Sequence, residues 1–173
     1  MGLNLGVCDF TLARVKGEKV TKYRDTSGIN SDTFSAILAT CDLATLVGKR
    51  DYELLRLLWS NALRRAFVSK LSIGDFDRTN GTLKILGKGR GTQSQIINLG
   101  DAASVTIGDW LAVRPGSVMI GTDPIFVALD GATIGHPITG DGIYKLVQRK
   151  AKKTGTDSLK IPQLRKFYQF LKL

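Results

Sequence analysis

Apolar residues recur at helical spacing along most of the chain, and the stretch from Gly48 to Leu71 shows the pattern most strongly. We predict a long core helix here, which breaks into two helices near Asn61. The apolar residues that would share one face of this helix are Leu54, Leu55, Leu58 and Ala62. Further helices are predicted over 31–42, 101–114, 139–155 and 161–173. Their expected capping residues are Ser31 or Asp32, Asp101 and Asp141 at the N-termini, and Gly155 at the end of the helix over 139–155.

Polar and glycine-rich turns separate these helices from a small sheet. A turn at Asn80-Gly81 precedes one strand, and residues 94–100 form its antiparallel partner, so that 88–93 become the connecting tip. Residues 123–129 are predicted as a short third strand or an extended segment. The fold class is therefore α+β, a mostly helical domain with a small antiparallel β-hairpin. This domain would span 31–173, with residues 1–30 as an N-terminal arm.

The length of 173 residues is sufficient for one domain with a hydrophobic core. Its content of 43% hydrophobic and 23% charged residues is typical of soluble globular proteins. No apolar run approaches the roughly 20 residues that span a bilayer. The N-terminal residues also lack the basic start and apolar stretch of a signal peptide. We therefore predict a cytoplasmic, nucleoid-associated protein with no membrane partner.

A formal net charge of +10 and an isoelectric point near 9.8 favour a polyanionic partner. Nucleic acid is the first candidate and an anionic membrane surface the second, while a merely basic soluble protein is the alternative. A basic stripe along one side of the helix over 139–155, opposite Ile143 and Leu146, would consist of Lys145, Arg149, Lys152 and Lys153. Such a stripe can follow a DNA backbone or form an ordinary solvated face. The same two interpretations apply to Lys88 and Arg90 at the glycine-rich tip.

Few residues could support metal or hydrolytic chemistry. Cys8 and Cys41 lack metal-ligand spacing and are predicted to be free thiols, and the single histidine, His136, is expected in a loop. The segment "ILGKGRGT" matches neither a Walker loop nor the dinucleotide-binding motif. No Ser-His-Asp, Cys-His or paired-carboxylate arrangement can be assembled. The sequence therefore predicts no metal, no cofactor and no small-molecule substrate.

Three segments resemble, in this order, the catalytic domain of the tyrosine recombinases, the phage-integrase family. They are "GKRDYELLRLLWSNALRRAFVSKLSIGDFD", "TLKILGKGRGTQ" and "ITGDGIYKLVQRKAKKTG", and the resemblance runs from about Thr26 to about Arg165. "SNALRRAF" is similar to the family's first box, which makes Arg64 the first catalytic arginine. "ILGKGRGT" is similar to the hairpin that bears the catalytic lysine, here Lys88. "IPQLRKF" is similar to the second box, His-x-x-Arg, with Arg165 as its arginine.

The resemblance implies that a tyrosine attacks a DNA phosphodiester and forms a 3′-phosphotyrosyl link without a metal. Arg64 and Arg165 would clamp the phosphate oxygens in the transition state, and Lys88 would protonate the leaving 5′-oxygen. Arg65, Arg90 and the basic stripe would contact the surrounding DNA. The implied partners are double-stranded DNA and, as a second candidate, a full-length recombinase protomer.

This chain departs from the family pattern at several positions. Pro162 stands where the second box has its histidine, and Phe67 stands where the first box has a glutamate. The chain ends at Leu173, before the family's nucleophilic tyrosine and without its core-binding domain, and Tyr168 follows Arg165 too closely to replace that tyrosine. We therefore expect an integrase-like, DNA-binding relative of recombination enzymes that cannot cleave DNA alone. The alternatives are a non-catalytic DNA-binding regulator and a decayed mobile-element remnant, whereas an RNA-binding protein lacks support because no RNP-like aromatic motif is present.

Overall fold

The computed structural model describes residues 28–86, 94–117, 121, 123–156 and 159–164. Within these ranges the secondary structure is mostly helical, with a small three-stranded antiparallel sheet. The helices are α1 (Ser31–Ala39), α2 (Leu46–Ser60), α3 (Arg65–Val68), α4 (Asp101–Val113), α5 (Gly140–Lys153) and α6 (Ile161–Leu164). The strands are β1 (Phe76–Asp77), β2 (Thr82–Leu86) and β3 (Ser94–Asn98). The predicted α+β class is confirmed. None of the helices in the described ranges is both long enough and apolar enough to cross a membrane.

Helix α2 is the central helix of the core, and it packs against α3, α4 and α6. Its fully buried leucines are Leu54, Leu55, Leu57 and Leu58, so the helix is covered on a wider face than the one predicted. Thr45 caps its N-terminus, because the Thr45 hydroxyl accepts a hydrogen bond from the Gly48 amide at 3.0 Å. Gly48 has no room for a side chain, since a Cβ there would lie 1.8 Å from the Asp42 carbonyl oxygen.

The chain turns sharply after α2, where a break was predicted. Asn61 is the C-cap of α2, and Ala62 follows with a φ of +50°. This left-handed conformation costs a residue with a Cβ about 1–2 kcal/mol. The turn buries Leu63 in the core and makes Arg64 the N-cap of α3. The predicted break is therefore confirmed, and it sets the position of Arg64.

The N-caps differ from the predicted ones by one or two positions. Asn30 caps α1 by accepting a hydrogen bond from the Thr33 amide at 2.8 Å, and Thr139 caps α5 by accepting one from the Gly142 amide at 3.0 Å. Gly100 precedes α4 as its N-cap residue. The predictions of Ser31 or Asp32, Asp101 and Asp141 as caps were wrong, because these residues lie in the first helical turns. Acidic residues there still interact favourably with the helix dipole.

The sheet has the order β1–β2–β3. Strands β2 and β3 pair in antiparallel fashion from Thr82 opposite Asn98 to Leu86 opposite Ser94, which confirms the predicted pair. The third strand is β1, which lies on the other edge of β2.

Residues 123–129 form an extended segment rather than a strand of this sheet, with isolated bridges at Pro124 and Val127. The alternative of an extended segment is therefore the correct one. Its residues Ile125 and Val127 are buried, and the Trp110 indole Nε1 donates a hydrogen bond to the Ile125 carbonyl oxygen at 2.8 Å. This contact fixes α4 against the segment that leads to α5.

Candidate nucleic-acid interface

Arg64 lines a cleft of about 560 Å³ between the α2–α3 junction and the sheet. Its side chain is exposed, and its guanidinium carbon lies 5.6 Å from the centre of the Phe67 ring, which is a cation–π distance. Among the described residues, no carboxylate forms an ion pair with Arg64. Phe67, at the position of the first-box glutamate, thus contacts the arginine with an aromatic ring and leaves its charge available to an anion.

The opposite wall of the Arg64 cleft belongs to the β2–β3 hairpin, through Ile85 and residues 95–98. The Asn61 side-chain amide donates a hydrogen bond to the Asn98 carbonyl oxygen at 3.3 Å, which joins the end of α2 to β3. The first box and the hairpin, which are separate in sequence, therefore lie side by side. Lys88 and Arg90 follow β2 directly but lie outside the described residues, so their roles stay predictions.

Arg65 links α3 to α5. Its guanidinium lies 3.3 Å from Asp141 Oδ1 and 5.6 Å from the centre of the Tyr144 ring. The Arg65 side chain is 44% exposed and that of Asp141 is 85% exposed. An ion pair this exposed contributes about 0–1 kcal/mol, so a phosphate can replace the carboxylate at little cost. The predicted DNA contact of Arg65 remains compatible with this geometry and stays a prediction.

Helix α5 presents the predicted basic stripe. The stripe residues Lys145, Arg149, Lys152 and Lys153 are all exposed, whereas Ile143, Leu146 and Val147 on the other side of the helix are buried. The arrangement of the stripe is confirmed, and its contact with DNA stays a prediction.

A second cleft, of about 580 Å³, adjoins the N-terminal half of α5. Arg50, His136, Lys145 and Arg149 line it, together with a single carboxylate from Asp130. The cleft also includes Thr139 and Gly142 at the N-terminus of α5, the end of the helix dipole that carries partial positive charge. The cleft is thus a second cationic surface, in which Lys145 has no ion pair with a described carboxylate, whereas Arg50 and Arg149 also pair with the buried Asp51.

A buried ion network lies beneath the stripe, and sequence analysis missed it. Asp51 is fully buried, with one oxygen 2.7 Å from Arg50 and the other 3.4 Å from Lys150 and 3.9 Å from Arg149. Arg50 and Lys150 also donate to the carbonyl oxygens of Val127 and Thr40, at 3.4 and 3.2 Å. The network holds α2 to α5 and fixes Arg50 at the wall of the second cleft.

A signal for this network was present in the spacing of α5. Lys150 falls on the helical face of Ile143, Leu146 and Val147, where an apolar residue is expected. A charged residue at such a position is buried only if it is paired, so a partner such as Asp51 could have been sought.

Helix α6 begins at Ile161, and Pro162 lies exposed in its first turn. Proline is favoured at this position because it needs no amide donor, but its ring cannot hydrogen-bond a phosphate. The Gln148 side chain donates a hydrogen bond to the Leu159 carbonyl oxygen, and Leu164 is buried in the core, so α6 is held against α5 and α2. Arg165 and Tyr168 lie outside the described residues, and their roles stay predictions.

No protein-family model matches this chain. Over 161 residues it is 39% identical to a tyrosine recombinase of Synechocystis sp., an alignment that covers 91% of this chain and 50% of that protein. The chain spans about half the length of the curated relatives it matches.

Two solved structures show the same fold. The XerH site-specific recombinase bound to its palindromic difH substrate has a TM-score of 0.66 at 22% identity, covering 84% of this chain and 42% of that one. The lambda integrase catalytic core has a TM-score of 0.62 at 15% identity, covering 84% of this chain and 82% of that one.

Proposed function

We propose that this chain, which belongs to the tyrosine recombinase family, binds duplex DNA through the face formed by the Arg64 cleft and helix α5. One observation carries the proposal. Arg64 is exposed and without a described carboxylate partner, in a cleft whose other wall is the hairpin that leads to Lys88. A cation in this setting suits a backbone phosphate, because its charge is not already neutralised within the protein.

The basic stripe on α5 would extend this contact along the duplex. Lys145 and Arg149 belong both to the stripe and to the second cleft, so one element serves two adjacent cationic surfaces. The net charge of +10 would attract DNA at long range. The solved complex of XerH with its difH substrate supports duplex DNA as the partner of this fold.

This 173-residue chain would bind DNA without forming a covalent link to it. Pro162 takes the position of the second-box histidine and has no polar side-chain atom to contact a phosphate or to transfer a proton. The remaining phosphate contacts, Arg64, Lys88 and Arg165, would position a phosphodiester without the full catalytic set.

Fluorescence anisotropy with labelled duplex DNA, measured across a salt series, tests the DNA contacts. We expect log K to fall linearly with log salt, by about 0.9 for each phosphate that is neutralised. Arg64→Ala should weaken binding and reduce this slope by about 1, and so should Lys145→Ala.

Lys49→Ala is the matched control, because Lys49 lines a third cleft that shares no residue with the other two. Its slope should equal that of the wild type. An Arg64→Ala protein with unchanged affinity and slope would contradict the proposed phosphate contact.

A nicked suicide substrate tests the absence of cleavage. After incubation and denaturing electrophoresis, we expect free DNA only, although the same substrate should bind in the anisotropy assay. A covalent protein–DNA band from this chain alone would refute the non-cleaving part and leave the binding part intact.

A further inference from the structure

A third cleft, between α2 and α4, lies apart from the surfaces proposed to contact DNA. It shares no lining residue with the clefts beside Arg64 and α5. Its volume is about 380 Å³, within the range of sites for small organic ligands. Neither the resemblance of the chain to recombinases nor the proposed DNA contact gives this cleft a role.

The walls of the α2–α4 cleft are largely apolar and aromatic. Tyr52 and Trp110 are among its lining residues, and Leu43 and Val113 line it while remaining 50% and 38% exposed. The indole of Trp110 is fixed by its hydrogen bond to the Ile125 carbonyl oxygen, so this wall is preformed. Such walls suit the hydrocarbon part of a ligand.

Glu53 lines the same cleft and is only 1% exposed. No described residue donates a hydrogen bond of normal distance and angle to either of its carboxyl oxygens. Thr106 is the neighbouring donor, and a hydrogen bond from it lowers the pKa of Glu53, but the carbonyl oxygens of Ala102 and Ala103, at 3.0 and 3.2 Å, compete for its single hydroxyl proton. Burying a carboxyl group without a good hydrogen-bond donor destabilises the folded protein, and a ligand that supplies the donor would remove part of this destabilisation.

The charged groups around Glu53 do not neutralise it. Burial raises the pKa of Glu53 to about 7, while a hydrogen bond from Thr106 and the charge of Arg56 lower it by smaller amounts and Asp109 raises it. Lys49 also lines the cleft. At neutral pH the carboxyl group therefore exists in both protonation states, and a bound cation would favour the ionised one.

We propose that this cleft binds a small organic ammonium ion, whose N–H groups donate to Glu53 while its hydrocarbon part packs against Tyr52 and Trp110. The ammonium group suits the carboxylate. The Tyr52 ring already lies 5.8 Å from the Arg56 guanidinium, so Tyr52 and the buried Trp110 offer apolar surface to the hydrocarbon part of the ligand. Leu43 and Val113, exposed at the same cleft, would be covered by the bound ligand.

Isothermal titration calorimetry of the intact protein with phenethylammonium chloride tests this site. The cation pairs with the ionised carboxylate, whose pKa in the free protein is about 7. We therefore expect saturable binding that is about 30-fold tighter at pH 8 than at pH 5.5. The uncharged analogue phenethyl alcohol should bind more weakly and with the same affinity at both pH values.

Glu53→Gln should weaken binding at pH 8 by roughly tenfold or more and remove the pH dependence. Asp130→Asn is the matched control, since this exposed carboxylate lines a different cleft, and it should bind as the wild type does. The absence of saturable binding at pH 8, or a Glu53→Gln protein with wild-type affinity, would overturn the assignment.

Discussion

Glu53→Gln should stabilise the protein at alkaline pH and have little effect in acid. Burial raises the pKa of Glu53 from its ordinary value of 4.5 to about 7. The folded-state pKa lies above the unfolded one, so folding favours the protonated carboxyl group. The wild-type protein therefore has the full contribution of this group to its stability below pH 4.5 and loses it as the pH rises through about 7. The rise corresponds to about 3 kcal/mol, since one pKa unit is about 1.4 kcal/mol.

The assay is urea unfolding of the wild type and of Glu53→Gln at a series of pH values from about 4 to about 8.5. Other titrating groups cancel in the difference between the two free energies of unfolding, because both proteins share them. We expect this difference to grow by about 3 kcal/mol in favour of the variant, mostly between pH 5 and pH 7. A difference that stays constant with pH would refute the claim that Glu53 is buried without compensation.

Asp77→Asn provides a control of opposite sign. Asp77 accepts hydrogen bonds from the Asn80 side chain at 2.7 Å and from the Asn80 amide at 3.0 Å, and these bonds lower its pKa. A lowered pKa contributes stability that is present above the unfolded value and is lost as the pH falls through the folded one. The cost of Asp77→Asn should therefore stay constant over the series above and disappear only when urea unfolding is extended below pH 3.8, where Glu53→Gln has little effect.

Three further outcomes can be measured by unfolding and thiol reactivity. Ala62→Gly should raise the free energy of unfolding by about 1 kcal/mol, because glycine adopts the observed φ without the cost of a Cβ; equal or lower stability would contradict this. Asp51→Asn should lower the free energy of unfolding by about 3–5 kcal/mol, because Arg50 and Lys150 would remain buried without a carboxylate. A loss below about 1 kcal/mol would contradict the proposed role of this ion network in stability. Cys41 is buried, and burial raises the pKa of its thiol. In a Cys8→Ser variant, Cys41 should therefore react with a thiol reagent at pH 8 only as fast as the protein unfolds locally or globally. Immediate reaction of the folded protein would contradict the burial of Cys41.

Local patterns were sufficient to predict the elements that frame the Arg64 cleft. The apolar spacing of 48–71 predicted α2 and its break, and the turn at Asn80-Gly81 together with the glycine-rich tip over 88–93 predicted the β2–β3 pair. Each of these sequence patterns lies within, or a few residues from, the helix or strand that it predicts. The basic stripe on α5 followed from the same helical periodicity, because one face of the helix is apolar and the other is charged.

The buried charges could not be predicted in this way, because they depend on contacts between distant parts of the chain. Lys150 donates to the carbonyl oxygen of Thr40, which is 110 residues earlier in sequence. Glu53 is buried because α4 covers a face of α2 that helical spacing alone would assign to solvent. Which face a second helix covers is decided by tertiary packing, and the sequence pattern of α2 does not contain that information.

The hydrogen bond between the Ile29 amide and the Gln163 carbonyl oxygen, at 3.4 Å, joins the first and last described stretches of the chain. Ile29 also packs against the core, so the first and last described stretches lie side by side there. The connectivity is thus nearly circular. A short linker from Leu164 to Gly28 would close the backbone of the described residues and keep Leu164 in the core, and new termini could then be opened at an exposed position such as Gly116. In such a circular permutant the elements would follow one another in a different order along the chain but keep their arrangement around the Arg64 cleft.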